Sequence, residues 1–327
     1  MFRTVAMATL LALAACATDG HDHSAEEGIV PAAPAFEYGP MTAEALTEHI
    51  RVLASDEFEG RAPGGEGERL TVEYLERTFA AAGLQPGANG SWRQNVALTA
   101  ATLTNDPVLT ISGRDGARQY VYGQDFTAWT KRVEPVVNVE NAELVFVGYG
   151  IVAPELNWND YAGVDMRGKI AVILVNDPDF DTGDDRGFGG RAMTYYGRWT
   201  YKYEEAARQG AAGAIIVHQT APAAYPWEVI GSRVSGARFD VVRADGGASR
   251  AGFEGWIQEN VARDTFQRAG LNFDQMRTRA QRQGFRPVRM GRLTGSVSLE
   301  TSFEQLQSAN VVGILPGTTR PDEYVIY

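Results

Sequence analysis

The chain has 327 residues, 44% of them apolar and 22% charged, with a formal net charge of −11. That is the composition of a soluble globular protein, and the acidic balance with no Lys/Arg run excludes the phosphate footprint of a nucleic-acid partner. The length exceeds the roughly 250–300 residues at which single cores stop growing, which predicts two units or one domain with a large insert.

The first residues read as a targeting signal. Met1-Phe2-Arg3 is a short positive start, Val5 to Leu13 a short apolar stretch, and Leu13-Ala14-Ala15 a small-residue cleavage site ahead of Cys16. The apolar stretch is too short to span a bilayer as a helix. Leu13-Ala14-Ala15-Cys16 resembles the lipobox of bacterial lipoproteins. The resemblance implies a lipoprotein signal peptide over residues 1–15 and lipid attachment at Cys16. It further implies an exported chain anchored to a bacterial membrane by that lipid alone, facing the periplasm or the exterior. Cys16 is the only cysteine, so no disulfide within the chain competes for it. Residues 16–40 are acidic, rich in Ala and Pro and without periodicity, and are expected to form a disordered tether. The tether contains His21-Asp22-His23. Three adjacent residues on such a segment lack the fixed geometry that zinc requires, so they are not taken as a metal site.

From residue 41 the pattern becomes helical. Thr42 stands as N-cap, and Leu46, Ile50 and Leu53 recur at helical spacing as far as Ser55-Asp56. A loop from Phe58 to Gly65 follows, in which Arg61 is expected to act as a structural clamp. A second helix, Glu66 to Ala82, carries Leu70, Tyr74, Leu75 and Phe79 on one side and closes on Gly83. His49, on the first helix, is expected to be a solvated or hydrogen-bonded histidine rather than a ligand. Trp92 to Leu98 alternates as a strand.

Residues 107–254 read as a β-rich, glycine-punctuated module. Glu143 to Val147 and Lys169 to Val175 are predicted strands, the second an apolar run of the kind buried on both faces. A helix from Tyr201 to Gln209 leads through Gly210 and Gly213 into another buried strand, Ala214 to Val217, completing a strand-helix-strand unit. The acidic loop Asp177 to Asp185 places carboxylates at alternate positions, as calcium loops do. However, its glycine comes one place late and Phe188 stands where a bidentate Glu would close the loop, so a solvated acidic loop is expected, with weak calcium binding as the alternative. Gly187 to Gly190 lacks the Lys-Ser/Thr ending of a phosphate-binding loop. His218 is expected at the rim of a sheet with its hydrogen bonds satisfied.

Residues 255–290 return to a helical pattern. Trp256, Val261 and Phe266 suggest one helix, and Leu271, Phe273 and Met276 a second, joined at Gly270. Arginines on their polar side alternate with Glu259, Asp264 and Asp274, which predicts a pair of helices covering a domain. Leu293 to Leu299 alternates as a strand. In residues 291–327 an apolar run, Val311 to Leu315, meets the turn Pro316 to Thr319, and a β-rich run begins at Tyr324 and stops at Tyr327. A strand broken off there leaves backbone groups unpaired, so the chain is expected to be the front part of a longer protein.

Several of these segments carry a family resemblance. Asp56-Glu-Phe-Glu-Gly-Arg-Ala-Pro-Gly-Gly65, Gly83-Leu-Gln-Pro86 and Ser91-Trp-Arg-Gln94 resemble the N-terminal part of the bacterial di-zinc aminopeptidases of peptidase clan MH. Asp160 to Lys169 and Ala206 to Val217 are similar to the protease-associated (PA) domain often inserted in these enzymes. Ser308 to Gly317 resembles the strand with which their catalytic domain resumes. The resemblance implies an α/β fold: the N-terminal part of a zinc-exopeptidase α/β/α sandwich, residues 41–106 and 291–327, interrupted by the β-rich insert. It implies peptide substrates and a pair of zinc ions that activate water for attack on the N-terminal peptide bond. In the family a His-x-Asp ligand motif follows a strand like Glu323 to Tyr327. Here no histidine occurs after His218, and the four present match no ligand position. No catalytic or metal residue is assigned, and the chain by itself is expected to be inactive. Two alternatives stay open: a non-catalytic binding protein on the same scaffold, and a carboxypeptidase of the same clan.

Overall fold

The structure, a computed structural model, describes residues 41–231 and 236–327. The expected signal peptide, Cys16, the expected tether and its two histidines lie outside the described residues.

Helix α1 (Ala43–Leu53) begins as its sequence predicts, the Thr42 hydroxyl accepting the Ala45 N–H at 3.1 Å. Its apolar stripe is not covered, with Leu46 50% and Ile50 64% exposed. A 3-10 turn over Asp56–Arg61 buries Phe58, and Arg61 donates to the Leu53 carbonyl, closing the end of α1 as the expected clamp. Helix α2 (Glu66–Ala81) follows and stops at Gly83, whose φ of +76° is open to glycine at little cost.

Strands β1 (Gln85–Pro86), β2 (Arg93–Leu103), β3 (Val108–Gly113), β4 (Gly116–Val121), β5 (Phe126–Trp129) and β6 (Val136–Phe146) come next. The short pair β7 (Val152–Ala153) and β8 (Trp158–Asn159) precedes β9 (Ile170–Leu174), α3 (Trp199–Arg208) and β10 (Gly213–His218). Short helices α4 (Thr220–Ala223) and α5 (Glu228–Gly231) lead to β11 (Arg238–Val241) and β12 (Phe253–Gln258). Helices α6 (Glu259–Arg268) and α7 (Phe273–Ala280) then give way to β13 (Val288–Val311) and β14 (Gly313–Ile314).

One mixed sheet of ten strands dominates, in the order β11-β2-β13-β6-β9-β10-β12-β5, with β3 attached to β13 and β4 to β3. Its centre is parallel: β9 pairs with β6 and with β10, and β10 pairs with β12. This is the strand-helix-strand unit expected from residues 169–217, and every residue of β9 and β10 is buried, as continuous apolar runs require. Alternate residues feed two cores. Val172, Leu174 and Ile215 pack with Phe146, Phe266 and Phe273 under α6 and α7. On the other face Ala171, Ile173 and Ile216 pack with Trp256, Tyr203 and Ala206 of α3. The fold is α/β, as expected.

The 24-residue strand β13 ties the sheet together. Its first half pairs with β6 and β3, and its second half, Thr301 to Val311, pairs with β2. The predicted strand at Leu293–Leu299 is a small part of it. The other predicted strand, Tyr324 to Tyr327, is not formed: these residues are exposed and join no ladder with a described strand. An extended segment gains its stability from a partner and an apolar face, and this one has neither among the described residues. Trp256 also departs from expectation. It lies in β12 rather than on a helix, in register with Ile216 of β10 and Thr127 of β5. A short apolar run buried on both faces has no period by which strand and helix can be told apart, and the helix begins only at Glu259. Helices α6 and α7 do form the covering pair, locked by Arg263, which bridges Glu259 of its own helix and Asp274 of the next. Among the described residues no helix is long and apolar enough to cross a membrane.

Candidate functional site

The acidic loop is solvated only in part: Asp181, Asp184 and Asp185 are exposed, but its first two carboxylates are not. Asp177 and Asp179 are fully buried. Asp179 accepts the Arg186 side chain at 2.8 Å and the backbone N–H groups of Arg186 and Phe188 at 2.7 and 3.1 Å. Asp177 accepts the Thr194 N–H and hydroxyl, both at 3.1 Å, while burial raises its pKa. Asp185 caps the turn at Gly187 and Gly189. The carboxylates thus organise the loop from within, a use that alternate spacing imitates. Among the described residues no three of His, Cys, Asp and Glu converge where a metal ion would sit. The zinc pair implied by the sequence resemblance therefore does not fit them.

The two described histidines, His49 and His218, are hydrogen-bonded, as expected. His49 contacts the Tyr74 hydroxyl at 2.6 Å on the surface. His218, at the end of β10, is buried between Trp227 and Trp256, with its Nε2 at 3.1 Å from the Tyr225 carbonyl. Burial lowers its pKa, so it is a neutral structural group near pH 7. Lys202, on α3, is fully buried and donates to the Tyr149 and Tyr196 carbonyls at 2.6 and 3.0 Å. Its pKa is pushed down to about 7 by burial, and that of the buried Asp160 up to about 7. Asp160 accepts the Trp158 indole N–H at 2.8 Å and the Ile151 N–H at 3.1 Å. This cluster pins α3 to the loops beside it and has no access for a substrate.

The remaining candidate is a cleft where β11 and β2 meet the loop after β5, with a volume of about 120 Å³. Register builds its floor. Arg238 lies opposite Ala101 and Asp240 opposite Thr99, while Phe303 of β13 flanks Ala101 from the other side, so these side chains share one face. The cleft stays open because the residues at its centre, Ala101 and Thr99, are small. Trp129 and Trp199 form one wall, their rings edge to face with centroids 6.1 Å apart. The Trp129 indole N–H donates to Glu254 at 3.0 Å, and Tyr203 stacks edge-on behind it at 5.6 Å. The Arg238 guanidinium lies 4.2 Å from the centroid of the Trp129 ring. Lys131 stands 3.6 Å from Asp240, both partly buried. Gly247 lets the following strap pass close to this wall: its φ is +79°, and a Cβ there would overlap the Lys131 carbonyl.

The cleft unites three cations, Lys131, Arg238 and Arg243, with a single lining acid, Asp240. Glu254, behind the Trp129 indole, is buried and its pKa is raised by that burial, which favours its neutral form. The groups that line the cleft, cations and aromatic rings, suit recognition of a ligand. Its residues come from five separate stretches of chain, and only the finished sheet register brings them together. No spacing in the sequence marks them.

Residues 134–244, from just before β6 to just after β11, match the PA domain family. No curated protein matches the chain in sequence. Among solved structures the chain is similar to an aminopeptidase from Aneurinibacillus sp. strain AM-1, with 22% identity and a TM-score of 0.39, over 85% of this chain and 49% of that one. It is also similar to a zinc aminopeptidase from Bacillus subtilis, with 14% identity and a TM-score of 0.30, over 83% of this chain and 47% of that one. The chain thus spans about half the length of the solved structures it matches. The stretch that supplies β9, α3, β10 and the Arg238 side of the cleft is the one that matches the PA domain family, and it is set in a mixed α/β fold.

Proposed function

We propose that the chain supplies the N-terminal scaffold and the PA domain of a secreted, lipid-anchored zinc aminopeptidase that removes N-terminal residues from peptides. The observation that carries this reading is the PA domain match over residues 134–244. It falls between the segments Asp56 to Gly65 and Ser308 to Gly317, which resemble that family's catalytic domain. Cys16 is the lipid-attachment residue in this reading, and the protein faces the periplasm or the exterior. Since the described residues do not fit a zinc pair, no hydrolytic step is assigned to them, and the chain by itself is inactive.

The test has two arms. The purified chain, incubated with zinc and aminoacyl p-nitroanilides or short peptides, is expected to release no N-terminal residue. Chelator-sensitive release would overturn the assignment of the chemistry to residues other than these. In cells, incorporation of a labelled fatty acid is expected to vanish with Cys16→Ser, and a chain that never takes up label would remove the anchor. A non-catalytic binding protein is the second reading. It is favoured by the cleft beside Trp129, which offers recognition groups without reacting ones, and persistent inactivity of any longer form of the protein would establish it.

A further inference from the structure

We infer that the cleft between β11, β2 and Trp129 is a binding site for an aromatic ring bearing a nearby carboxylate, the chemistry of a peptide ending in Phe, Tyr or Trp. The inference does not depend on peptidase activity, because none of the cleft residues is asked to react.

Size and shape argue for the ring. At about 120 Å³ the cleft is close to the roughly 150 Å³ at which an apolar cavity accommodates benzene. Its surfaces are aromatic on two sides, with Trp129 and Trp199 already in edge-to-face contact and Phe303 on the floor. A further ring inserted there finds offset or edge-on partners, worth about 0.5–1.5 kcal/mol beyond the area it buries. The exposed edge of Trp199, with 39% of that residue accessible, leaves the mouth open.

Charge argues for the carboxylate. Lys131, Arg238 and Arg243 line the cleft against Asp240 alone, in a chain whose net charge is −11, so the concentration of positive charge is local. The Arg238 guanidinium lies 4.2 Å from the centroid of the Trp129 ring, a contact that restrains it before any ligand arrives. A guanidinium carries the two parallel N–H donors that suit a carboxylate. Lys131 lies 3.6 Å from Asp240, beyond the usual hydrogen-bond length, and so keeps donors for an incoming anion. Small neutral residues at the centre, Ala101 and Thr99, leave the space between ring wall and cations unfilled.

The experiment compares N-acetyl-L-phenylalanine with its amide by isothermal titration against the full chain at low salt. The acid is expected to bind at least tenfold more tightly than the amide, and the preference to shrink as salt rises. Arg238→Gln and Lys131→Met are each expected to abolish or reduce that preference at least threefold. Ala101→Leu, which fills the floor without removing a charge, is expected to weaken both ligands at least tenfold. Equal binding of acid and amide to the unaltered chain, or no binding of either at millimolar concentration, overturns the proposal. Should Ala101→Leu unfold, as a thermal melt would reveal, Lys131→Met carries the test alone. Unchanged discrimination in that variant rejects the site. Failure of the aminopeptidase reading leaves these outcomes unaffected, because they measure binding to the chain and not turnover.

Discussion

Helix α1 and strands β9 and β10 are both made from apolar sequence, yet only the strands bury it. Each residue of β9 and β10 lies inside, between the two cores. No residue of α1 is buried, and its stripe of Leu46 and Ile50 faces outward. An amphipathic pattern states that a face needs a partner, but says nothing about where the partner is. The stability of the two regions should differ accordingly. Strands locked by ladders on both sides open only with the whole fold, whereas a helix held by a cap, a clamp and surface ion pairs opens locally.

The sharpest way to break this comparison is to remove bulk from each side in turn. Phe146 is fully buried, with the rings of Phe266 and Phe285 edge-on at 5.0 and 5.7 Å. Phe146→Ala leaves a cavity among rigid neighbours, and denaturant titration should show a loss of about 3–5 kcal/mol. Ile50→Ala should change stability by under about 0.5 kcal/mol, because little is buried to lose. A loss for Ile50→Ala comparable to that for Phe146→Ala would mean that the stripe is covered in solution.

A second change tests where α2 meets the body. Gly67 lies inside α2, where propensity alone would favour alanine by about 1 kcal/mol. In the fold, however, a Cβ on Gly67 would overlap the carbonyl of Phe58, a backbone group held by the 3-10 turn. Gly67→Ala is therefore expected to destabilise by about 1–3 kcal/mol, the reverse of the propensity rule. A stabilised variant would show that the turn yields easily.

Lys202 offers a smaller effect with a definite sign. Its pKa is about 7 in the fold and near 10.5 in an unfolded chain. Between those values the unfolded state holds a proton that the folded state does not, so stability should rise with pH from about 7 upward. Asp160, raised to about 7 from 3.8, works in the lower window, where the folded state holds the extra proton and stability falls as pH rises toward 7. Melting temperatures taken from pH 7 to 9.5, below the ordinary titration of tyrosine near 10, should climb by a few degrees for the native chain. They should not climb for Lys202→Met. Parallel profiles would mean that Lys202 stays charged, balanced by Asp160 and Asp177.

These contrasts also mark what could be read from the sequence. The Thr42 cap, the Gly83 stop and the β9-α3-β10 unit follow from local pattern, because caps, positive φ and doubly buried runs leave local signatures. Trp256 was misplaced on a helix because β12 is short and covered on both faces, so its residues show no period. In the acidic loop Asp181, Asp184 and Asp185 are exposed as composition suggests, but composition does not reveal that Arg186 and Thr194 turn inward to meet Asp179 and Asp177. The cleft was invisible for a further reason. Trp129, Trp199 and Arg238 lie far apart in the chain and become neighbours only through the pairing of β11 with β2 and the packing of α3 on the sheet.

The smallest expected effect returns to α1. Thr42→Ala removes the side-chain acceptor for the Ala45 N–H, a change that costs about 0.5–2 kcal/mol where a helix is integral to the fold. Here no residue of the helix is fully buried, with only Val52 and Leu53 partly covered, so the loss should stay within it. Amide exchange should accelerate roughly 2- to 30-fold over Ala43–Leu53, the factor that this free energy implies. Exchange in β9 and β10 should be unchanged, and so should the global denaturation midpoint. If the midpoint falls with the cap, α1 is coupled to the sheet and opens only with it, and the division between a locally opening helix and a globally locked sheet fails.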